Sequence, residues 1–226
     1  MAKNGLIIAI DGPAGVGKST VSKGVASALG YAYINTGAMY RAFALSAVEL
    51  GVHADRPNEI KNFCETVHME YDPAASTVKA SGVDYTQEVK TLRAGELASV
   101  YSSKRPVRDF LVAYQRSLGQ RGGVVMEGRD IGTKVFPDAD IKIFLDASPE
   151  VRAKRRADEH NKASEEVAKA LAERDERDTK RVESPLQMAP DAVRVDTDGL
   201  DIEGVIGSVL QKVIEKFPYT NGKIKK

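Results

Sequence analysis

Tryptophan is absent from this 226-residue chain, and cysteine occurs once, at Cys64. A lone thiol forms no intramolecular disulfide, so a disulfide scaffold is excluded and a reducing, cytoplasmic compartment is expected. No apolar run approaches the length that spans a bilayer, and the basic-then-apolar pattern of a secretory leader is missing. The first apolar run, Leu6–Ile10, is short and leads straight into a glycine-rich turn. Excess charge of either sign is missing as well. With 33 basic and 32 acidic residues the net charge is +1, so no long-range field favours nucleic acid or an anionic membrane. Internal repeats and low-complexity tracts are lacking. The remainder, 42% hydrophobic and 29% charged, has the composition of a soluble globular protein, either one large domain or one core with insertions.

What is present begins directly after Ile10. Gly12, Pro13, Ala14, Gly15, Val16, Gly17, Lys18, Ser19 and Thr20 spell G-x-x-x-x-G-K-[ST] between an apolar strand-like run and a helix-like stretch, the setting this phosphate loop requires. Glycines let successive N–H groups turn inward around a polyphosphate, and the following helix adds its free N–H groups and dipole. Lys18 can reach the β- and γ-phosphates, and the Ser19 hydroxyl can ligate Mg²⁺. A bound nucleoside triphosphate is therefore expected. The dinucleotide fingerprint fails, because Thr20 stands where G-x-G-x-x-G needs its last glycine.

Further along, Tyr31–Ile34, Val124–Glu127, Ile141–Leu145 and Val193–Val195 read as buried strands. Helical patterns lie between them. One begins near Pro106 with a face of Phe110, Leu111, Tyr114 and Leu118. Another is N-capped by Asp201 with a face of Ile202, Val205, Ile206, Val209, Leu210 and Val213. Ser148-Pro149-Glu150 reads as a helix start, and Gly30 as a helix end. This alternation predicts a parallel α/β sheet with helices on both faces. Two segments break the rhythm. Val67–Tyr71, Thr77–Lys79 and Val83–Tyr85 read as a small antiparallel insert. Residues 151–181 carry Arg152, Arg155, Arg156, Arg174, Arg177 and Arg181 among interleaved acids. They form either a solvated helical pair or an arginine-bearing lid, and the phosphate loop favours the lid. The tail from Tyr219 is expected to fray.

A GTPase is disfavoured. Asp196–Gly199 matches D-x-x-G and Asn161–Ser164 half matches the base-reading motif, but in the wrong order. Asn35–Arg41 follows the second strand and Glu127-Gly128-Arg129-Asp130 ends the third, so both face the ligand-binding edge of a parallel sheet. Each carries an arginine suited to a phosphate, which points to a small-molecule kinase with a phosphorylated acceptor.

At Ile10–Thr20, Thr36–Arg41, Gly128–Thr133, Val135–Ala139, Lys142–Ser148 and Glu173–Asp178 the chain closely resembles the bacterial cytidylate kinases of the nucleoside monophosphate kinase group, nearly end to end. The resemblance implies transfer of the ATP γ-phosphate to CMP or dCMP with Mg²⁺, by a monomer that engages neither nucleic acid nor membrane. It implies one domain, with a core over residues 1–60, 100–150 and 182–226, a monophosphate-binding insert over about 61–99 and a lid over about 151–181. Carried over by position, Thr36, Arg41 and Arg129 would hold the acceptor phosphate, and Ser99, Arg108 and Asp130 would face the cytosine. Asp178 and Arg181 would meet the ribose side. Lys18, Arg129 and Arg174 are the expected catalytic residues, Lys18 and the lid's Arg174 stabilising the transferring group while Arg129, with Arg41, aligns the attacking oxygen. The family often has Asp where this chain has Asn35, and Gly-Thr where it has Ser19-Thr20, so the Mg²⁺ contact of Ser19 rests on the general motif. His53, His68 and His160 lie off the motifs and are not expected to be catalytic. An adenylate or uridylate kinase, a shikimate- or gluconate-type kinase, and a nucleotide-regulated module acting on RNA or a ribosome remain as alternatives.

Overall fold

A computed structural model describes residues 4–160 and 164–223. Asn161–Ala163, from the half-matched base-reading motif, lie outside the described residues, as do the side chain of His160 and the end of the tail.

The run Ile7–Asp11 (β1) is buried along its whole length, with Ile8, Ala9 and Ile10 at 0% exposure. A strand apolar at consecutive positions needs cover on both faces, which places it at the centre of a parallel sheet. β1 pairs in parallel with β6 (Val124–Gly128) on one side and β7 (Ile141–Asp146) on the other. β2 (Ala32–Asn35) pairs with β6, and β8 (Val193–Asp196) with β7, giving the order β2-β6-β1-β7-β8. Helices cover both faces. α1 (Lys18–Leu29) and α8 (Ile202–Lys216) close one of them over Ile8, Ile10, Val25 and Val209. α2 (Thr36–Glu49), α3 (Pro57–Thr66), α4 (Leu92–Tyr101) and α5 (Arg105–Gly119) supply the other, where Phe43 is fully buried against Phe63 and Phe110. Each such side chain is worth about 1.5–3 kcal/mol of burial.

The expected insert is a three-stranded antiparallel sheet, β3 (Met69–Asp72), β4 (Thr77–Ala80) and β5 (Val83–Asp84). Its alternating inward residues Met69, Tyr71, Val78 and Ala80 join the same core as Phe43, and Asn35 donates its backbone N–H to the Tyr71 hydroxyl at 3.0 Å. Residues 149–180 form two helices, α6 (Pro149–His160) and α7 (Ser164–Lys180).

Three expectations need correction. The inner face of α5 runs through Val107, Arg108, Leu111, Val112 and Gln115, with Phe110, Tyr114 and Leu118 on its partly buried flank. The sequence pattern centred the face on the bulkiest residues, whereas the space beneath the helix also admits Arg108 and Gln115. Ile202 does not join the buried face of α8. It is 55% exposed at the first position of that helix, whose buried face begins at Val205. The tail is not frayed from Tyr219: Pro218–Lys223 make a short 3₁₀ turn in which Thr220 is fully buried and donates to Phe217 O.

Candidate active site

The parallel strands end on one side, and the turns leaving β1, β2, β6 and β8 surround a cleft of about 610 Å³. At Gly12, φ is +151° and a Cβ would stand 2.2 Å from Leu145 O, so only glycine lets the chain leave β1 beside β7. Gly17 (φ +89°) occupies the N-cap of α1 and offers no side chain to its N–H groups. Those donors therefore face the cleft uncapped, as an anion site requires. Lys18 is 7% exposed and donates to Pro13 O. Burial, and then the charge of Arg129, holds its ammonium well below the ordinary lysine value. The Tyr33 hydroxyl, with Ser19 close by, donates to the buried Glu127 carboxylate.

Opposite the loop, Asn35 caps α2 by accepting the Ala38 N–H at 2.9 Å. An amide performs this task without charge, so no anion stands there beside the phosphates. Thr36 is buried and donates its hydroxyl to Glu127 O at 2.7 Å, while Arg41 reaches Val89 O at 2.9 Å. Both line the cleft.

Another part of the cleft wall is made of charged side chains paired with one another. Asp178 lies 3.1 Å from Arg129 and 3.9 Å from both Arg174 and Arg181. Burial would raise its pKa, but those guanidinium charges prevail and hold the carboxyl below its usual value. Arg174 is pressed the other way, downward, by burial and then by Arg129. Arg108, 3% exposed, forms an ion pair with Asp130 and rests 5.6 Å above the Tyr40 ring. The Arg108 Nε and the Ser99 hydroxyl oxygen are buried with no hydrogen-bond partner among the described residues. All of the substrate-contacting residues expected from sequence thus line one cleft, although 145 positions of the chain separate Thr36 from Arg181.

Not every arginine of the 151–181 segment faces this cleft. Arg152 turns away from solvent to pair with Asp175 and to donate to Ala14 O at 3.1 Å, so it supports the outside of the phosphate loop. Arg155 is held by Thr197 through two 2.8 Å bonds and lines the cleft near Leu200, Ile202 and Val205. Sequence reasoning passed over this apolar shelf, having assigned Ile202 to the core. It also passed over Tyr40, Glu127 and Asp11, which carried no signal beyond their place beside recognised motifs. Among the described residues there is no group of three His, Cys, Asp or Glu suited to a metal, and no helix long and apolar enough to cross a membrane.

A phosphate loop facing a ring of arginines narrows the possibilities to phosphoryl transfer, and the sequence family decides among them. Residues 8–215 match the family model described as cytidylate kinase. The chain belongs to the cytidylate kinase family. The cytidylate kinase of Geobacter sulfurreducens is 42% identical over 227 residues, covering 97% of this chain and 97% of the relative. That of Solibacter usitatus is 44% identical over 225 residues, covering 96% and 95%. That of Bacillus pumilus is 44% identical over 215 residues, covering 92% and 96%. Among solved structures, a shikimate kinase from Acinetobacter baumannii aligns with TM-score 0.50 and 15% identity over 95% of this chain and 96% of its own. A gluconokinase from Sinorhizobium meliloti gives 0.50 and 16% over 97% and 98%. At such identities the likeness concerns the fold alone. Cytidylate kinases are ATP-dependent phosphotransferases acting on small nucleotides.

Proposed function

We propose that this cytidylate kinase moves the γ-phosphoryl group of ATP onto the phosphate of CMP or dCMP, yielding CDP or dCDP, as a cytoplasmic monomer with no nucleic-acid or membrane partner. The observation that carries the reading is the buried Arg108–Asp130 pair at the far end of the cleft that begins at Lys18. Cytosine presents acceptors at O2 and N3 and a donor at N4. The Arg108 guanidinium has only donors and the ionised Asp130 carboxylate only acceptors, so side by side they match that edge. Uracil reverses the pattern at N3 and position 4, leaving buried groups mispaired. Ser99, with its hydroxyl oxygen buried and unpartnered, stands beside the same edge.

The acceptor phosphate is already an anion near neutral pH, so the reaction asks for alignment and charge neutralisation more than for a strong base. Arg41, Arg129 and Thr36 align the attacking oxygen, and Lys18 and Arg174 meet the charge on the transferring group. The lid assignment of 151–181 fits α6 and α7 carrying Arg155 and Arg174 over the cleft. Leu200, Ile202 and Val205, which line the same cleft as Arg155, offer apolar side chains to the adenine.

The residues also fit Mg²⁺. It commonly binds through few protein oxygens plus substrate phosphates and water, and Ser19 and Glu127, both on the cleft wall, provide a hydroxyl and one carboxylate. When bound, Mg²⁺ neutralises charge between the β- and γ-phosphates. The test is a coupled ADP-production assay with CMP, dCMP, UMP, AMP, shikimate and gluconate as acceptors. Turnover confined to CMP and dCMP is expected. Equal turnover with UMP or AMP, or ATP binding without acceptor-dependent turnover, would contradict the reading.

A further inference from the structure

The segment after Asp130 is a single wide turn, Ile131–Val135, in which Val135 N–H donates to Asp130 O at 3.2 Å and Phe136 N–H to Ile131 O at 2.7 Å. Asp130 occupies the N-cap position of that turn. Aspartate there ordinarily turns its carboxylate back onto the first free N–H groups, which need an acceptor when buried. Asp130 makes no such bond. The acceptor comes instead from 120 residues away. Asp11, the last residue of β1, is 5% exposed. Its Oδ1 accepts the Ile131 N–H at 2.8 Å and its Oδ2 accepts the Gly132 N–H at 2.8 Å. The sheet register makes this reach possible, since Asp11 lies directly opposite Gly128.

The burial of Asp11 has no role in the chemistry described above and is costly. Desolvation raises its carboxyl to about 6 in spite of the two N–H bonds, and the nearby Asp130 charge adds to that rise. A carboxylate kept under such conditions, one residue ahead of the phosphate loop, calls for an account.

We infer that Asp11 is a positioning residue that caps the Ile131–Val135 turn in place of Asp130, and so releases the Asp130 carboxylate to pair with Arg108 and read the nucleobase. This rests on the base-reading role proposed for Asp130. It makes the donor loop and the acceptor site share one strand end: Gly12 continues from Asp11 into the phosphate loop, while the Asp11 side chain fixes the start of the turn that directly follows Arg129 and Asp130. With Asp11 unable to accept both N–H groups, Asp130 becomes the nearest substitute cap and its carboxylate swings out of the cleft.

The test compares wild type, Asp11→Asn, Asp130→Asn and the double variant by calorimetric titration with CMP, UMP and a non-hydrolysable ATP analogue. Asp11→Asn is expected to weaken CMP about tenfold (~1.4 kcal/mol) while leaving UMP and the ATP analogue within about twofold. The double variant should bind CMP no worse than Asp130→Asn alone, because the two act as a unit. Equal weakening of CMP and the ATP analogue by Asp11→Asn, or additive losses in the double variant, would overturn the inference. If Asp130→Asn changes the CMP-to-UMP ratio and Asp11→Asn does not, the inference fails while the base reading stands. If Asp130→Asn leaves the ratio untouched, the base reading falls and the inference with it. Should Asp11→Asn not fold, amide exchange in the wild-type protein decides. Ile131 and Gly132 amides as protected as those of β6 support the cap, and exchange at loop rates overturns it.

Discussion

The donor end of the cleft is built from backbone and its acceptor end from side chains. Around Lys18 the binding groups are N–H donors of one turn and of the first residues of α1, which Gly17 leaves uncapped. Around Asp178 they are guanidinium and carboxylate groups on α5, at the end of β6 and on α7, paired with one another. The difference has an energetic side. Backbone donors at a helix start lose little by waiting in solvent for an anion, whereas buried arginines without acids would leave uncompensated charge. The acids at the acceptor end therefore hold the site together before substrate arrives.

The largest expected effect is on the donor side. Lys18→Ala should remove ~3–4 kcal/mol of transition-state stabilisation and lower kcat by two or more orders of magnitude. Its melting temperature should hold or rise, since burial already disfavours the Lys18 charge. A variant with near-wild-type kcat would break the comparison at its donor end.

The acceptor side should respond in stability. Asp178→Asn should cost about 2–3 kcal/mol by urea unfolding, because three guanidinium groups lose their shared anion. The sign with pH follows from the lowered carboxyl. Ionised Asp178 contributes stability at pH above its unfolded value, and that contribution disappears as pH falls through the lower folded value. The stability of the Asn variant should therefore fall less on acidification. Equal acid dependence in both proteins would show that Asp178 is not the anchor.

Specificity should move by a smaller amount. Wild-type enzyme should prefer CMP over UMP by at least about tenfold in kcat/KM, equivalent to ~1.4 kcal/mol. Asp130→Asn should erode that preference, partly through slower CMP turnover, because an amide can donate to uracil O4. An unchanged ratio would remove Asp130 from base reading.

The smallest stability change is expected at Arg174→Ala. Its guanidinium is already pressed down by burial and by Arg129, so the melting temperature should hardly move while kcat falls. In the wild type, CMP with a non-hydrolysable ATP analogue should protect residues 151–181 from proteolysis. Cleavage indifferent to both ligands would favour a solvated helical pair over a lid.

The same division explains what could be read from sequence. Gly12, Gly17 and Lys18 lie within one turn, and the backbone path they enforce is a local property. The parallel sheet, though not its strand order, and the antiparallel insert were legible for a similar reason, since each strand carries its own apolar pattern. Arg108 was not legible from pattern alone: it sits on the inner face of α5 beside Val107 and Leu111, a place where periodicity expects an apolar residue. Only the family resemblance marked it. Asp11 falls within the Ile10–Thr20 stretch that carries the family resemblance, but its two partners are 120 and 121 positions away and no local feature announces them. Ile202 was misread because a helix pattern assigns a residue to a face without telling which turns of that face are covered.

The most direct test of the two-part cleft is a crossed titration, with dissociation constants for CMP and for a non-hydrolysable ATP analogue measured separately on Lys18→Ala and Asp130→Asn. If the donor end is backbone-built and the acceptor end side-chain-built, Lys18→Ala should weaken only the ATP analogue, and modestly, because the N–H cradle remains. Asp130→Asn should weaken only CMP, by about tenfold or more (~1.4 kcal/mol per decade). Loss of both ligands from either variant would contradict the account.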